Sequence, residues 1–192
     1  MNIQESKAAL RKEIRARLGK MQAAARVAAS LEICSRLRAQ TFWNNSASIL
    51  FFSPLTGEPD IWPLLVEALA AGKTCALPQF DKATETYIAR RVQNLQTEII
   101  TGKFGIREPK PNRESISTAT FDLVLVPGVA FDLAGRRLGR GMGYYDRLLQ
   151  KVRGLKAGIA FDGQIEKEIP AEAHDAGVDC ILTPSRFVEC AG

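Results

Sequence analysis

The run Phe121-Asp122-Leu123-Val124-Leu125-Val126, closed by Pro127-Gly128, decides the fold. It is apolar almost throughout, where a strand with one wet face would alternate. A continuous apolar run of strand length is the pattern of a central parallel strand covered on both faces. Working outward, 46–52 (Ser46-Ala47-Ser48-Ile49-Leu50-Phe51-Phe52) reads as a second buried strand, and further strands are expected at 74–78, near 86–92, at 155–161 and at 178–183. Helical spacing fills the gaps. Residues 5–18 carry Leu10, Ile14 and Leu18 on one face and Lys7, Arg11 and Arg15 on its neighbour. Residues 22–39 offer Val27, Leu31, Cys34 and Leu37 as an apolar line; 60–71 is a helix ended by Gly72, and 144–152 is another. Loops are expected at 53–59 and 101–117. Strands alternating with helices predict one α/β domain over residues 1–192, a three-layer α/β/α arrangement with a mostly parallel sheet.

Composition narrows the function. Hydrophobic residues are 46% and charged residues 24% of the 192, which excludes a disordered chain. No run approaches the ~18 apolar residues of a membrane helix, and the polar start does not read as a secretory signal. A cytoplasmic protein without a membrane partner is therefore expected. Cys34, Cys75, Cys180 and Cys190 lie too far apart for a Cys-x-x-Cys site and are expected as reduced thiols. The net charge of +5 favours anionic partners, among them nucleotides and polyanionic small molecules. The pairs Arg90-Arg91 and Arg136-Arg137 are too short for a nucleic-acid surface and read better as solvated charge.

The chemistry concentrates at Arg136-Arg137-Leu138-Gly139-Arg140-Gly141-Met142-Gly143-Tyr144-Tyr145-Asp146. Alternating glycines in a loop leading into a helix let the backbone approach a ligand and present successive N–H groups to an anion. Arg137 and Arg140 add charge-assisted phosphate contacts, and Tyr144 and Tyr145 add flat faces or hydroxyls. A carboxylate beside a phosphate loop repels it unless a cation intervenes, so Asp146 points to magnesium. The dinucleotide fingerprint would need glycine where Tyr144 stands, and spacing alone also allows a surface turn with incidental arginines. Gly72-Lys73-Thr74 imitates the end of a P-loop, but Glu67 occupies the position of its first glycine. His174, the only histidine, excludes a multi-histidine metal site.

The pattern Phe131-Asp132-x-x-Gly135-x-Arg137-Leu138-Gly139-x-Gly141-x-Gly143-Tyr144-Tyr145-Asp146 closely resembles the signature of the 5-formyltetrahydrofolate cyclo-ligase (5,10-methenyltetrahydrofolate synthetase) family. Lys7-Ala8-Ala9-Leu10-Arg11, Glu58 after the Phe51-Phe52 strand, Gly105-Ile106-Arg107-Glu108-Pro109 and Ile169-Pro170 with His174-Asp175 resemble further family segments. Arg107, Met142, Pro59 after Glu58 and Thr183-Pro184 depart from the commoner pattern.

The resemblance implies a fold like that of the sugar-phosphate isomerase and CoA-transferase group. It also implies conversion of 5-formyltetrahydrofolate and ATP to 5,10-methenyltetrahydrofolate, ADP and phosphate, with magnesium. By the same resemblance, Lys7, Ala8, Ala9, Leu10 and Arg11, with the loop Arg137, Leu138, Gly139, Arg140, Gly141, Met142, Gly143, Tyr144 and Tyr145, would bind ATP. Arg140 and Tyr145 would be catalytic; Phe52, Glu58, Phe104 and Tyr144 would line the folate site; Asp146 and Asp175 would carry the metal. A monomer acting on small molecules is expected. The rivals are a phosphate-ester enzyme on the same fold, which would turn over without ATP, and a basic nucleic-acid-binding module, which would bind with steep salt dependence.

Overall fold

In the computed structural model, which describes residues 2–102 and 105–190, β6 (Leu123–Pro127) is the middle strand of a seven-stranded sheet. It pairs in parallel with β1 (Ser48–Leu50) on one side and β9 (Leu155–Ile159) on the other. Beyond β1 lie the parallel β2 (Thr74–Asp81) and the antiparallel edge β3 (Thr86–Val92). Beyond β9 lie the parallel β11 (Cys180–Leu182) and the antiparallel edge β12 (Phe187–Glu189). The continuous apolar run has the predicted cause. Leu123 and Leu125 enter one buried cluster and Val124 and Val126 another, so the strand is covered on both faces.

The first cluster packs α2 (Ala23–Arg38), α3 (Thr41–Asn45) and α4 (Trp62–Ala70) on the sheet through Ile33, Trp43 and Leu64, among others. The second packs α5 (Tyr144–Leu149) on the opposite face through Leu148 and Leu149. A small sheet of β7 (Ala130–Asp132), β8 (Arg137–Leu138) and β10 (Ile165–Glu166) sits apart, and α1 (Ile3–Gly19) rests on it. Ile14 of α1 is fully buried there against Val129, Ala130, Leu138 and Ile169. Asn2 and Glu5 form a capping box that fixes where α1 begins.

Several expectations are corrected. The apolar line of α2 holds in its second half only: Cys34 and Leu37 are buried as expected, but Val27 and Leu31 are 62% and 57% exposed, and Ser30 and Ile33 are buried in their place. The buried face is turned toward Ser30, whose Oγ accepts the Asp60 N–H from the segment before α4 at 3.0 Å. The β1 strand is shorter than 46–52, although the Phe51 N–H still donates to the Ala76 carbonyl at 2.9 Å. The second strand runs on to Asp81; Pro78 is tolerated because β1 pairs only as far as Ala76 and leaves that edge open. Within 101–117, expected as loop, β5 (Arg107–Pro109) pairs with β4 (Ile99–Thr101). The helix at 144–152 ends at Leu149, and the glycine loop opens with β8. The P-loop imitation is a helix-to-strand turn: Lys73 Nζ caps the carbonyls of Trp43, Asn44 and Ser46 at 2.5–3.1 Å.

Among the described residues, no helix is long and apolar enough to cross a membrane. The four cysteines are free, and burial pushes the Cys34 thiol up to about 11 and those of Cys75 and Cys180 up to about 12. They serve as small apolar groups and not as nucleophiles. Leu125→Ala should cost about 2–5 kcal/mol of unfolding free energy in urea titrations. Leu31→Ala should change it by less than about 0.5 kcal/mol; equal losses would contradict the assignment of the α2 face.

Candidate active site

A cavity of about 510 Å³ opens where Ser53 follows β1, Pro78 stands in β2, and Pro127 and Gly128 close β6. In open α/β sheets, ligands bind beyond the carboxyl ends of the parallel strands. Two walls differ in character. Pro78, Tyr87, Ile106 and Tyr144 form an apolar, aromatic side, while Glu58, Arg137, Arg140 and Asp146 form a charged one. Tyr144 packs edge-on to Phe80 and Tyr87, with ring centroids 5.3 and 5.6 Å away. Desolvation, with Glu108 nearby, pushes the Tyr87 hydroxyl up to about 12, so it stays a neutral phenol.

The glycine loop is positioned by the small sheet. The Asp132 carboxylate accepts the N–H groups of Ala134, Arg136 and Ile169 and the Arg136 Nε, all at 2.6–3.1 Å. That fixes the β7–β8 turn, from which Arg137 and Gly139 enter the site, while Leu138 between them, expected in the ATP-binding loop, turns into the cluster that seats Ile14 and does not line the cavity. Gly143 has φ +65 and starts α5, and Gly141 has φ +103 with the Arg11 guanidinium 3.6 Å from where a Cβ would stand. Both positions favour glycine for conformation, and a Cβ at Gly141 would only touch the guanidinium at ordinary contact distance. Because α5 spans only six residues, its dipole is small, and the attraction for anions that the sequence assigned partly to this helix rests on the arginines.

The sequence-predicted charges fall largely in pairs, with Glu58, Arg137, Arg140 and Asp146 lining the cavity and Lys7, Arg11 and Asp175 outside its lining. Arg140 Nη2 meets Glu58 Oε1 at 2.7 Å, while the Leu55 N–H holds Glu58 Oε2 at 2.9 Å. Arg137 is buried; its Nη2 binds Asp146 Oδ1 at 2.5 Å, and the same oxygen accepts the Ala176 N–H at 3.3 Å. Lys7, only 4% exposed, binds Asp175 Oδ2 at 2.5 Å and Glu172 Oε2 at 2.8 Å. Among Lys7, Arg11, Arg137 and Arg140, only Arg11 has no carboxylate hydrogen bond; its Nε donates to the Gly139 carbonyl at 2.8 Å. Burial, together with Arg15, pulls the Arg11 guanidinium down, and Asp175 and Asp146 oppose this, which places Arg11 in the field of both carboxylates.

The remaining expected residues divide between the cavity, the core and the surface. Phe52 is buried in the large core and does not line the cavity. Ala8 and Ala9 are exposed on α1, and Leu10 packs beside Ile14 to seat the helix. Tyr145 lines the cavity but also packs against both large clusters, and desolvation holds its hydroxyl well above the usual range. Phe104 lies outside the described residues. Met142 lines the cavity although largely exposed, and Arg107 points away, stacked on Trp62 at 3.8 Å. Reading the residues missed Pro78, Tyr87 and Ser53, because strand residues with no reactive spacing give no signal until the sheet brings them together.

Glu172, His174 and Asp175 each offer a ligand atom within 4.8 Å of one another, a group that does not include Asp146. The carboxylates of Asp146 and Asp175 are hard oxygen donors of the kind magnesium takes, and the hydrogen bond from Ala176 brings the Asp175 segment to Asp146. Each already faces a cation on one oxygen.

The Lys7 bridge makes stability pH-dependent in two windows. Burial pulls Lys7 down, but hydrogen bonds to Asp175 and Glu172 outweigh it and raise it above 10.5. Burial raises Asp175, but Lys7 and the Glu172 N–H outweigh it and hold it below 3.8. A lowered carboxyl stabilises above its unfolded value and loses that contribution as pH falls through the folded one; a raised ammonium loses its contribution as pH rises through the folded value. Lys7→Met should therefore be destabilised most between those limits. Chemical denaturation should show the gap to wild type narrowing below about pH 4 and above about pH 10.5.

Residues 3–184 match the 5-formyltetrahydrofolate cyclo-ligase family. The mouse (Mus musculus) 5-formyltetrahydrofolate cyclo-ligase is 30% identical over 193 residues, covering 95% of each chain. The enzyme of the same name from Escherichia coli is 32% identical over 146 residues, 74% of this chain and 80% of that one. The NMR structure of Aquifex aeolicus 5,10-methenyltetrahydrofolate synthetase superposes with a TM-score of 0.87 at 34% identity, covering 97% of this chain and 93% of the other. With α1, the glycine loop and the Asp175 segment all inside the matched span, the chain belongs to the 5-formyltetrahydrofolate cyclo-ligase family.

Proposed function

We propose that the protein closes 5-formyltetrahydrofolate to 5,10-methenyltetrahydrofolate at this cavity, using ATP and releasing ADP and phosphate. The observation that carries the reading is the family match, which runs from α1 through β11 and takes in every charged residue of the site. The cavity supports it by setting an aromatic wall, suited to a pterin, beside a cationic loop, suited to phosphates.

The formyl oxygen of an amide is a poor leaving group. Transfer of the γ-phosphoryl from ATP to that oxygen, with ADP leaving, makes it a good one. The N10 amine then attacks the formyl carbon, its proton is lost, the carbon–oxygen bond breaks and inorganic phosphate departs. Positioning and charge neutralisation do most of the work in such transfers. Arg140 and Arg11 would hold the phosphates, with the loop backbone from Gly139 to Gly143 against them. Glu58 would accept from the amino-pyrimidine edge of the pterin, with Tyr144 against its ring. Magnesium, when bound, would neutralise phosphate charge, and Asp146 and Asp175 would hold it. Arg137 would then act through Asp146, as a residue that orients the carboxylate.

The Glu58–Arg140 pair carries a consequence for the order of events. Each partner is assigned to a different substrate, so each substrate must displace the other side of the pair. The chain is further read as one catalytic unit, a cytoplasmic monomer acting on small molecules, with a fold related to the sugar-phosphate isomerase and CoA-transferase group.

Purified protein should form the methenyl chromophore only when 5-formyltetrahydrofolate, ATP and magnesium are all present; turnover without ATP would favour the isomerase-like rival. Arg140→Ala should lower kcat/KM by about 10²-fold or more, while Arg91→Ala, whose side chain meets Glu114 at the surface, should leave it within twofold of wild type, roughly. Glu58→Gln should weaken folate binding yet tighten a non-hydrolysable ATP analogue by up to about fivefold in calorimetry without folate, because Arg140 is released.

A further inference from the structure

Five buried side-chain nitrogen or oxygen atoms among the described residues have no hydrogen-bond partner: Arg36 Nε, Ser53 Oγ, Trp62 Nε1, Glu108 Oε1 and Arg113 Nε. Three belong to groups held through another atom, since Arg36 Nη2 donates to the Pro184 carbonyl, Glu108 Oε2 accepts the Phe80 N–H, and Arg113 Nη2 donates to Gln93. The indole of Trp62 is covered by the Arg107 guanidinium. Ser53 has only its one hydroxyl, and that hydroxyl is the only atom of the five whose residue lines the cavity.

The contrast with the other buried serines is direct. Ser30 Oγ donates to the Arg26 carbonyl at 2.8 Å and accepts the Asp60 N–H, and Ser46 Oγ donates to the Phe42 carbonyl at 2.6 Å. These serines do structural work. Ser53 is as buried as they are, at 8% exposure, with no such bond. A buried hydroxyl without a partner costs free energy relative to an apolar atom in the same place. A carbon there would stabilise the free protein, so the hydroxyl calls for a partner that the fold does not supply.

Position says which partner. Ser53 sits just past the carboxyl end of β1 and opens the loop that carries Leu55, Thr56 and Glu58 along the cavity wall. Glu58 is held by the Leu55 N–H, so Ser53 and Glu58 bring two polar groups from one short loop to the cavity that Pro78 and Tyr87 also line. Resting on the function proposed above, we propose that Ser53 Oγ is a substrate-binding group that hydrogen-bonds a polar atom of the reduced folate's bicyclic ring or its formyl group, and that it discriminates for the folate and not for the nucleotide.

The test is Ser53→Ala, with Ser53→Thr as the variant that keeps a hydroxyl. Thermal melts of the free protein should show Ser53→Ala as stable as wild type or more so, because no bond is lost. Steady-state kinetics at saturating ATP should show the KM for 5-formyltetrahydrofolate raised about five- to tenfold, with the KM for ATP at saturating folate unchanged. Ser53→Thr should recover part of the folate affinity. A lower melting temperature with both KM values unchanged would make Ser53 structural and overturn the proposal. So would unchanged stability with an unchanged folate KM, which would mean that the hydroxyl serves solvent alone, and so would a rise confined to the ATP KM. Wild-type protein that neither binds nor converts 5-formyltetrahydrofolate would reject the underlying function, a result separable from any effect of the variants.

Discussion

The Asp132 carboxylate is the constraint on which the site depends. It is fully buried, and four donors from two segments converge on it: the backbone of Ala134 and both the backbone and side chain of Arg136 from the β7–β8 turn, and the backbone of Ile169. A buried carboxylate is stable only when its lone pairs are satisfied, so those donors must be where they are. The consequence is a fixed β7–β8 turn, and with it a fixed origin for the glycine loop. The small sheet then offers Val129, Ala130 and Leu138 as a floor on which Ile14 of α1 is buried. In this way a residue with no place in the chemistry determines where the N-terminal helix lies relative to the loop.

Once α1 is seated, the electrostatics of the site follow. Its cations are arranged as pairs: Lys7 with Asp175 and Glu172, Arg137 with Asp146, Arg140 with Glu58. The pairs differ in burial and therefore in role. Lys7 and Arg137 are almost fully enclosed, where separating the charges would leave an ion without solvent, so they tie α1 and α5 to neighbouring segments. Arg140 is exposed, whereas the Glu58 carboxylate is nearly buried and keeps the Leu55 N–H on its other oxygen, so this pair opens at less cost than the two enclosed bridges but only where another donor takes over at Glu58. Arg11 stands under the loop with only a carbonyl for a partner. The cavity wall thus carries one partly exposed pair, and behind the glycine loop lies one guanidinium without a carboxylate hydrogen bond, while the enclosed bridges hold the surrounding segments.

Much of the site was legible in the residues because the glycine loop is local. Gly141 and Gly143 do take positive φ, and Arg137, Arg140, Tyr144 and Asp146 come together because they are within ten positions of one another. What local spacing could not show is the partner each charge takes. Asp146, expected to hold magnesium, meets Arg137, and Lys7, expected at the phosphates, meets two carboxylates more than 160 positions away. Ser53, Pro78 and Tyr87 were invisible for the same reason, since each belongs to a strand or strand end whose relation to the loop exists only after the sheet forms. Resemblance to the family reached Glu58 and Asp175, which no period or spacing marks.

The sequence by itself determined the α/β class and the strand at the centre. A run that is apolar on both faces has no stable place except between two layers, and β6 is found there with α2, α3 and α4 on one side and α5 on the other. It also determined that Gly72 would end a helix, since left-handed backbone there favours glycine. Only the tertiary structure decided that α2 would bury Ser30 and Ile33 beside Cys34 and Leu37 and leave Val27 and Leu31 outside, because the helical period fits either pair and the outcome depends on what packs against the helix. It also decided that the edges would be antiparallel, that α1 would pack on a second, small sheet, and that opposite charges from distant segments would meet. Period is a property of neighbours along the chain; the partner of a charge, and the face that is covered, are properties of neighbours in space.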